Sequence, residues 1–320
     1  MDAPAPSCRL ADGASGRAAA QWFAMELNHV TIDTPPRDAA SVVMLRDGAG
    51  GLEVLLLRRH TNSDVLGGAY VFPGGKVDAA DSAPELLARL DRTPAELQPR
   101  LGEPALSPAQ AAALYVAAAR EAAEEAGVLY LQVGAAEVAT RSAETCTRLR
   151  AGEAFGALLA AQGMRLDSDA LAPWSRWITP RRPSVMNKRF DTRFFLAAAP
   201  TAQEARHDDH EVTEARWLTP RAALGQYRAH EIDLAPPQIV SLLHLLQFGA
   251  VAPAMADARA RKPPLIEPEP VEDGSTRVLC YPGDAAHSVP ARALPEPVPT
   301  RVVWRGKRFE PPQGFGPYLD

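Results

Sequence analysis

The chain reads as an α/β protein with a mixed sheet. Short apolar runs of strand character alternate with longer segments of helical period, the pattern of α/β folds rather than of a bundle. Some runs lie close enough together for a hairpin, while others are separated by whole helices. Antiparallel neighbours and long-range pairings are therefore expected in one sheet.

Residues 1–38 are rich in Ala, Gly, Pro and Ser without a sustained period and are expected to be disordered; Met25 offers an alternative start. Ser41-Val42-Val43-Met44-Leu45 and Glu53-Val54-Leu55-Leu56-Leu57 flank Asp47-Gly48-Ala49-Gly50-Gly51, a hairpin signature. Arg58, Arg59 and His60 follow. The run Tyr70-Val71-Phe72 then leads into Gly74-Gly75, where backbone can approach a ligand closely. Residues 82–107 hold a short leucine-rich helix (85–90) and a proline-rich return. They read as a structural spacer rather than a lid, because no polar chemistry clusters there. Ser107-Pro108-Ala109-Gln110 is a capping box with proline at the first helical position, and the alanine-rich helix it opens stops at Gly127. Ala112, Tyr115, Ala119, Ala122 and Ala126 give that helix a face able to sit close against a sheet.

Residues 128–131 read as a strand, 153–162 as a helix ended by Gly163, and 190–198 and 212–218 as buried strands. Thr219-Pro220 and Pro236-Pro237 open helices running to about Tyr227 and Phe248. Residues 252–270 look like a linker, with short strands to follow at 276–280 and 301–304. The expected organisation is a domain over 39–250, with 251–320 as linker and C-terminal extension.

Composition narrows the class. At 320 residues, 46% hydrophobic and 23% charged, the chain has an ordinary globular make-up and can bury a core. A net charge of −5 gives no global pull toward nucleic acid or anionic membrane. Three scattered cysteines, Cys8, Cys146 and Cys280, make neither a disulfide framework nor a thiolate metal site, so a reducing cytoplasm is the simplest expected compartment. No apolar run reaches spanning length, the N-terminal stretch lacks an apolar core so a secretory signal is not expected, and Pro317-Tyr318-Leu319-Asp320 does not match a peroxisomal Ser-Lys-Leu tail.

The chemistry gathers on the alanine-rich helix. Glu121, Glu124 and Glu125 stand at i, i+3 and i+4, which places three carboxylates on one face. Like charges about 6 Å apart repel by roughly 0.7 kcal/mol in water and about 3 kcal/mol at an effective dielectric of 20, so the cluster suits a hard divalent cation such as Mg²⁺ or Mn²⁺. A lone Glu-x-x-Glu-Glu is more commonly a solvated face, here with Arg120 paired to Glu124. The upstream Gly74-Gly75 tips the reading toward a site.

Together these stretches resemble the Nudix box, Gly-x5-Glu-x7-Arg-Glu-apolar-x-Glu-Glu-x-Gly-apolar. Gly75 matches the opening glycine, and Arg120, Glu121, Glu124, Glu125, Gly127 and Val128 match the second half, with Ala122 as its small apolar member. Asp81 stands where the pattern has Glu, and thirty-eight residues separate it from Arg120 where the pattern has seven. Both departures resemble the coenzyme A diphosphatases of the family, which show Gly-Gly-Lys-x-Asp-x-x-Asp, as in Gly74 to Asp81. One branch of them, peroxisomal in mammals and with bacterial relatives, carries an insertion inside the box. Trp177-Ile178-Thr179-Pro180, Arg189-Phe190-Asp191-Thr192-Arg193-Phe194-Phe195, Pro236-Pro237-Gln238 and Tyr281-Pro282-Gly283-Asp284 are similar to that branch too.

The resemblance implies an α/β/α sandwich with an insertion in the box and a small C-terminal extension. It implies Mg²⁺ or Mn²⁺ held by Glu121, Glu124 and Glu125 with the backbone carbonyl at Gly74 or Gly75. Arg120 would aim the carboxylates, helped by Asp81, and the base would be Glu124 or a later acid, with Glu211 in the loop 207–211 as the choice. His207 and His210 of that loop read as solvated. The implied substrate is coenzyme A or an acyl derivative, cleaved to 3′,5′-ADP and a 4′-phosphopantetheine, without nucleic-acid or membrane partners and with a homodimer left open. One feature departs from the coenzyme A pattern: Asp64 stands where such relatives place an Arg, although Gly68 keeps its spacing to Phe72. Another nucleotide substrate (NADH, ADP-ribose, a dinucleotide) and a non-catalytic nucleotide-binding module are the rival readings.

Six basic residues between 176 and 193 (Arg176, Arg181, Arg182, Lys188, Arg189, Arg193) face a single acid, Asp191. With Arg58, Arg182 and Arg189 are the expected anchors for an anionic substrate group such as a 3′-phosphate. A solvated loop accounts for the same run equally well. Trp174 and Trp177 could stack on adenine but are more often core. No Walker-type loop, dinucleotide fingerprint or His-Glu-x-x-His zinc pattern occurs.

Overall fold

The computed structural model describes residues 27–63, 66–132, 135–184, 186, 188–206, 212–274 and 276–320. In chain order they form β1 (Arg37–Gly48), β2 (Gly51–Arg59), β3 (Tyr70–Val71), β4 (Gly74–Lys76), α1 (Pro84–Leu87), α2 (Pro94–Leu101), α3 (Pro108–Ala126), α4 (Ala135–Arg150) and α5 (Phe155–Ala161). β5 (Ala172–Ile178), β6 (Phe190–Ala198), β7 (Val212–Leu218), α6 (Pro220–Arg228), α7 (Pro236–Leu245), α8 (Val251–Ala260) and β8 (Leu265–Ile266) follow. The chain closes with β9 (Glu269–Asp273), β10 (Thr276–Cys280), β11 (Arg301–Arg305), β12 (Arg308–Glu310) and α9 (Gly316–Leu319).

The main sheet runs β3-β2-β1-β6-β5-β8, with β4 also on β1 and β7 also on β2. β1 and β2 form the expected hairpin, while β1 pairs with β6 in parallel across the whole box. The sheet is therefore mixed and covered on both faces. Ala40, Val42 and Met44 of β1 point into the core under α3, and the alternating Val43 and Leu45 point into a second core under α6, α7 and α8. This is the α/β/α sandwich expected.

The axial helix forms as its caps dictate. Ser107 Oγ accepts the Gln110 N–H at 3.2 Å, Gln110 returns the bond to the Ser107 N–H at 2.9 Å, and Gly127 ends the helix at φ 68°. Its alanines are buried on nearly every side, and Tyr115 packs its ring 4.9 Å from that of Phe195.

Several expectations are corrected. The proline-rich return of the insertion contains α2, whose Thr93–Glu96 capping box and Pro94 at its first position make it helical. Leu86, Leu87, Leu90, Leu97 and Leu101 fill the core beside α3, so the insertion is part of the domain body. Residues 128–131 are buried but make only an isolated bridge, Leu131 to Leu166. The linker expected at 252–270 is instead α8 followed by β8, which adds in parallel to β5. Its Pro253 falls in the first helical turn, where a missing N–H costs nothing, and Ala254, Met255 and Ala258 pack on the sheet. The segment expected to be disordered reaches order before residue 39: β1 begins at Arg37, and Asn28 and Ile32 donate backbone bonds to Ser184 and Arg181 at 2.7 Å each. The first 26 residues, Met25 among them, lie outside those described. The C-terminal extension is a four-stranded sheet, β12-β11-β10-β9, and Leu279, Val302 and Phe309 join the second core. Among the described residues Cys146 and Cys280 are free and buried, and no helix is long and apolar enough to cross a membrane.

That second core holds a titratable group. Trp174 stacks on His244 with centroids 5.1 Å apart, and burial lowers the His244 pKa to about 4, the charge of Arg261 acting the same way and that of Asp257 against it. An unfolded histidine titrates near 6.5, so below that pH the unfolded chain takes up a proton the folded chain refuses. Stability contributed at neutral pH is lost as pH falls from about 6.5 toward 4. Replacing His244 with Leu should remove roughly 2–3 kcal/mol of the fall in unfolding free energy between pH 7 and 4.5, measured by urea titration.

Candidate active site

A cleft of about 1190 Å³ begins at the C-terminal half of α3, passes the Gly74-Gly75 turn and crosses the face of the sheet opposite α3. Pairing of Ala40 with Gly75 and Ser41 with Gly74 fixes the turn against β1. Both glycines are required by space. A Cβ on Gly74 would sit 2.6 Å from the Ala40 carbonyl oxygen, and one on Gly75 would sit 2.4 Å from Glu121 Oε1. Gly75→Ala should therefore displace the Glu121 carboxylate and weaken apparent metal affinity by about 10- to 100-fold with a small change in melting temperature. Gly74→Ala, which collides with backbone, should lower the melting temperature first. Metal-dependence curves and thermal melts separate the two.

Arg120 organises the acids. Its Nε and Nη2 grip both oxygens of Asp81 at 2.9 Å, Nη1 donates to Glu121 Oε1 and Glu124 Oε2 at 2.8 Å each, and Nη2 also donates to the Lys76 carbonyl at 3.0 Å. Burial opposes the charge of Arg120, but the bonds to Asp81 and the charges of Glu121, Asp81 and Glu124 outweigh it and raise its pKa. Asp81 is only 1% exposed and reaches back to the Asp78 N–H at 2.8 Å, closing a short helical turn at 79–82. Glu125 is buried and accepts the Gly74 N–H at 2.8 Å, with Arg59 Nη1 at 3.9 Å on its other oxygen. Glu124 is the most accessible of the three; burial of its carboxylate raises its pKa more than the charge of Arg120 lowers it. Arg150 of α4 donates to the Glu124 backbone carbonyl at 2.7 Å, capping the end of α3.

In this arrangement no three acidic, histidine or cysteine side chains among the described residues stand close enough to enclose an ion. The donor set nevertheless fits one. Glu121, Glu124, Glu125 and the Gly74 and Gly75 backbone all line the same cleft, every donor is a hard oxygen, and two of the carboxylates are presently gathered on one guanidinium nitrogen.

The anion anchors are placed differently from expectation. Arg58 lies off the cleft. On β2 side chains alternate, and Arg59, on the face of Leu55 and Leu57, is the one that lines it. Arg182 pairs with Glu272 at 3.4 Å, and Arg189 is spent on the Thr179 carbonyl at 2.9 Å and Glu267 at 3.6 Å; neither lines the cleft. The basic run looked unbalanced only because its acids are remote in sequence. Glu103 of the insertion takes Arg176 at 2.8 Å and Arg193 at 2.7 Å, Asp38 takes Arg193 as well, and Asp33 takes Arg181. Of the six, Lys188 is on the cleft wall. Trp174 and Trp177 are core, although Trp177 also borders the cleft. Asp64 and the loop 207–211, with His207, His210 and Glu211, lie outside the described residues.

Comparison with known proteins follows the same lines. The family model described as the NUDT19 Nudix domain matches residues 36–245. The acyl-coenzyme A diphosphatase NUDT19 of Gallus gallus is 32% identical over 262 residues, covering 67% of this chain and 69% of that protein. Its Homo sapiens counterpart is 30% identical over 242 residues, covering 64% and 63%. Among solved structures, a NUDIX hydrolase from Alicyclobacillus acidocaldarius superposes with a TM-score of 0.55 at 30% identity, covering 70% of this chain and 97% of that one. The matches thus span about two thirds of the length of the curated relatives.

Proposed function

The chain belongs to the Nudix family, matching its NUDT19 domain, and from that membership we propose that it hydrolyses the diphosphate linkage of coenzyme A or an acyl-coenzyme A. The products would be 3′,5′-ADP and a 4′-phosphopantetheine. The observation that carries the reading is that Glu121, Glu124, Glu125, Gly75 and Arg120, itself held by the Asp81 fork, line one cleft of about 1190 Å³.

Nudix hydrolases work with divalent metals, and for this donor set we assign Mg²⁺ or Mn²⁺. Bound there, the ion would neutralise phosphoryl oxygens and acidify a water. Glu121 and Glu125 would hold it, with Glu124 as a third ligand and the Gly75 carbonyl beside them. Arg120 keeps the carboxylates aimed, and Asp81 keeps Arg120 in place. Glu124, the most accessible of the three carboxylates, would take the proton of the attacking water. Glu211 is retained as the alternative base on sequence grounds.

Asp64, standing where coenzyme A-directed relatives have Arg, favours a second reading in which the same reaction acts on another nucleoside diphosphate derivative. Side-by-side turnover of coenzyme A, an acyl-coenzyme A, NADH, ADP-ribose and a diadenosine polyphosphate with each metal tests the choice. Faster turnover of a coenzyme A compound is the expected result, and a faster rate on any other compound moves the assignment there. Tight nucleotide binding without turnover would make the chain a binding module.

A further inference from the structure

The floor of the cleft is one face of three strands. Arg37, Ala39 and Ser41 of β1 lie beside Phe190, Thr192 and Phe194 of β6 in parallel register, and Thr192 pairs with Trp177 of β5. All seven line the cleft. Ser41 ends this floor at the Gly-Gly turn, where it pairs with Gly74, and Arg37 stands at its other end. Ser41 and Arg37 are four residues apart, about 13 Å along a strand.

The cations at the carboxylate end are engaged. Arg120 holds Asp81, Glu121 and Glu124, Lys76 pairs with Asp78 at 2.7 Å, and Arg150 is bound to backbone carbonyls. Arg37 is different. It is exposed, and among the described residues no carboxylate pairs with its guanidinium. Its neighbour Asp38 is turned to the other face of the strand and bound to Arg193. Lys188, two residues before Phe190, brings a second cation to the same rim. Arg189 braces the rim by donating to the carbonyls of Thr179, at 2.9 Å, and Thr34, at 3.4 Å.

We propose that Arg37, with Lys188 beside it, forms a subsite for a phosphomonoester dianion that the substrate carries on its ribose, apart from the diphosphate it presents to the carboxylates. The inference rests on the diphosphatase reading and deepens it. A planar guanidinium with no acid to neutralise it among the described residues matches the oxygens of a phosphomonoester, and its place at the far end of the floor from Glu121, Glu124 and Glu125 keeps that dianion away from their charge. The subsite would make the enzyme distinguish a 3′-phosphorylated nucleotide from one lacking that group.

Calorimetric binding of 3′,5′-ADP and of 5′-AMP to the full chain tests this without requiring turnover. The wild type should bind 3′,5′-ADP about tenfold more tightly or better, Arg37→Ala should bring 3′,5′-ADP down to the affinity of 5′-AMP, and Arg37→Lys should restore part of the difference. Equal affinity of the wild type for the two ligands overturns the proposal, as does a tenfold preference that survives in Arg37→Ala. A variant that weakens both ligands alike overturns it too, because that is the signature of a structural role. The diphosphatase reading fails separately, by absence of wild-type turnover, whatever the binding shows.

Discussion

Replacing Glu125 with Gln is expected to lower metal-dependent turnover by about a thousandfold, equivalent to about 4 kcal/mol of lost transition-state stabilisation. Glutamine keeps the shape of the side chain, and its carbonyl oxygen can still accept the Gly74 N–H now held at 2.8 Å. What disappears is the one negative charge of Glu125, itself buried beside the Gly74 turn. The fold should tolerate the change, since the charge removed repels its neighbours, so the melting temperature should stay near that of the wild type. Steady-state rates across a Mg²⁺ and Mn²⁺ titration, with a thermal melt as companion, check both halves. Turnover within a few-fold of wild type would remove Glu125 from the site.

Arg120→Ala should be the most damaging single substitution for stability. It leaves Asp81, 1% exposed, with the Asp78 N–H in place of a two-pronged guanidinium, and it frees Glu121 and Glu124 to repel one another. Removing one partner of a buried ion pair costs about 3–5 kcal/mol because the other charge remains buried. The double variant Arg120→Ala/Asp81→Ala should recover part of that loss, and Arg120→Lys should not match the wild type, since an ammonium cannot make the fork. Urea unfolding of the three proteins gives the comparison. A loss below about 1 kcal/mol in the single variant would mean that Arg120 does not organise the acids.

The elements legible in the sequence were those whose signals are local. The Ser107–Gln110 capping box and Gly127 bracketed α3, the glycine-rich turn marked the β1–β2 hairpin, and Thr219-Pro220 opened α6 at the right residue. Placement of the carboxylates followed from helical period alone. Misreadings arose where composition stood in for packing: α2 and α8 were hidden by proline and alanine, although Leu97, Leu101, Ala254 and Ala258 are buried. The pairing of the basic run was hidden because a charge count along the chain cannot see Glu103, Asp33 or Asp38 folding back onto it. Arg59 over Arg58 was recoverable from strand alternation, since Leu55 and Leu57 set the face. Arg37 carried no local signal; it is singled out only by the β1–β6 register.

Incubating the full chain with coenzyme A and Mg²⁺ or Mn²⁺, and identifying the products by mass, tests the central claim most directly. Cleavage of the diphosphate predicts 3′,5′-ADP and 4′-phosphopantetheine in equal amounts, and neither product from Glu125→Gln over the same interval. Recovery of intact coenzyme A with either metal, or of dephospho-coenzyme A and inorganic phosphate in their place, would contradict it.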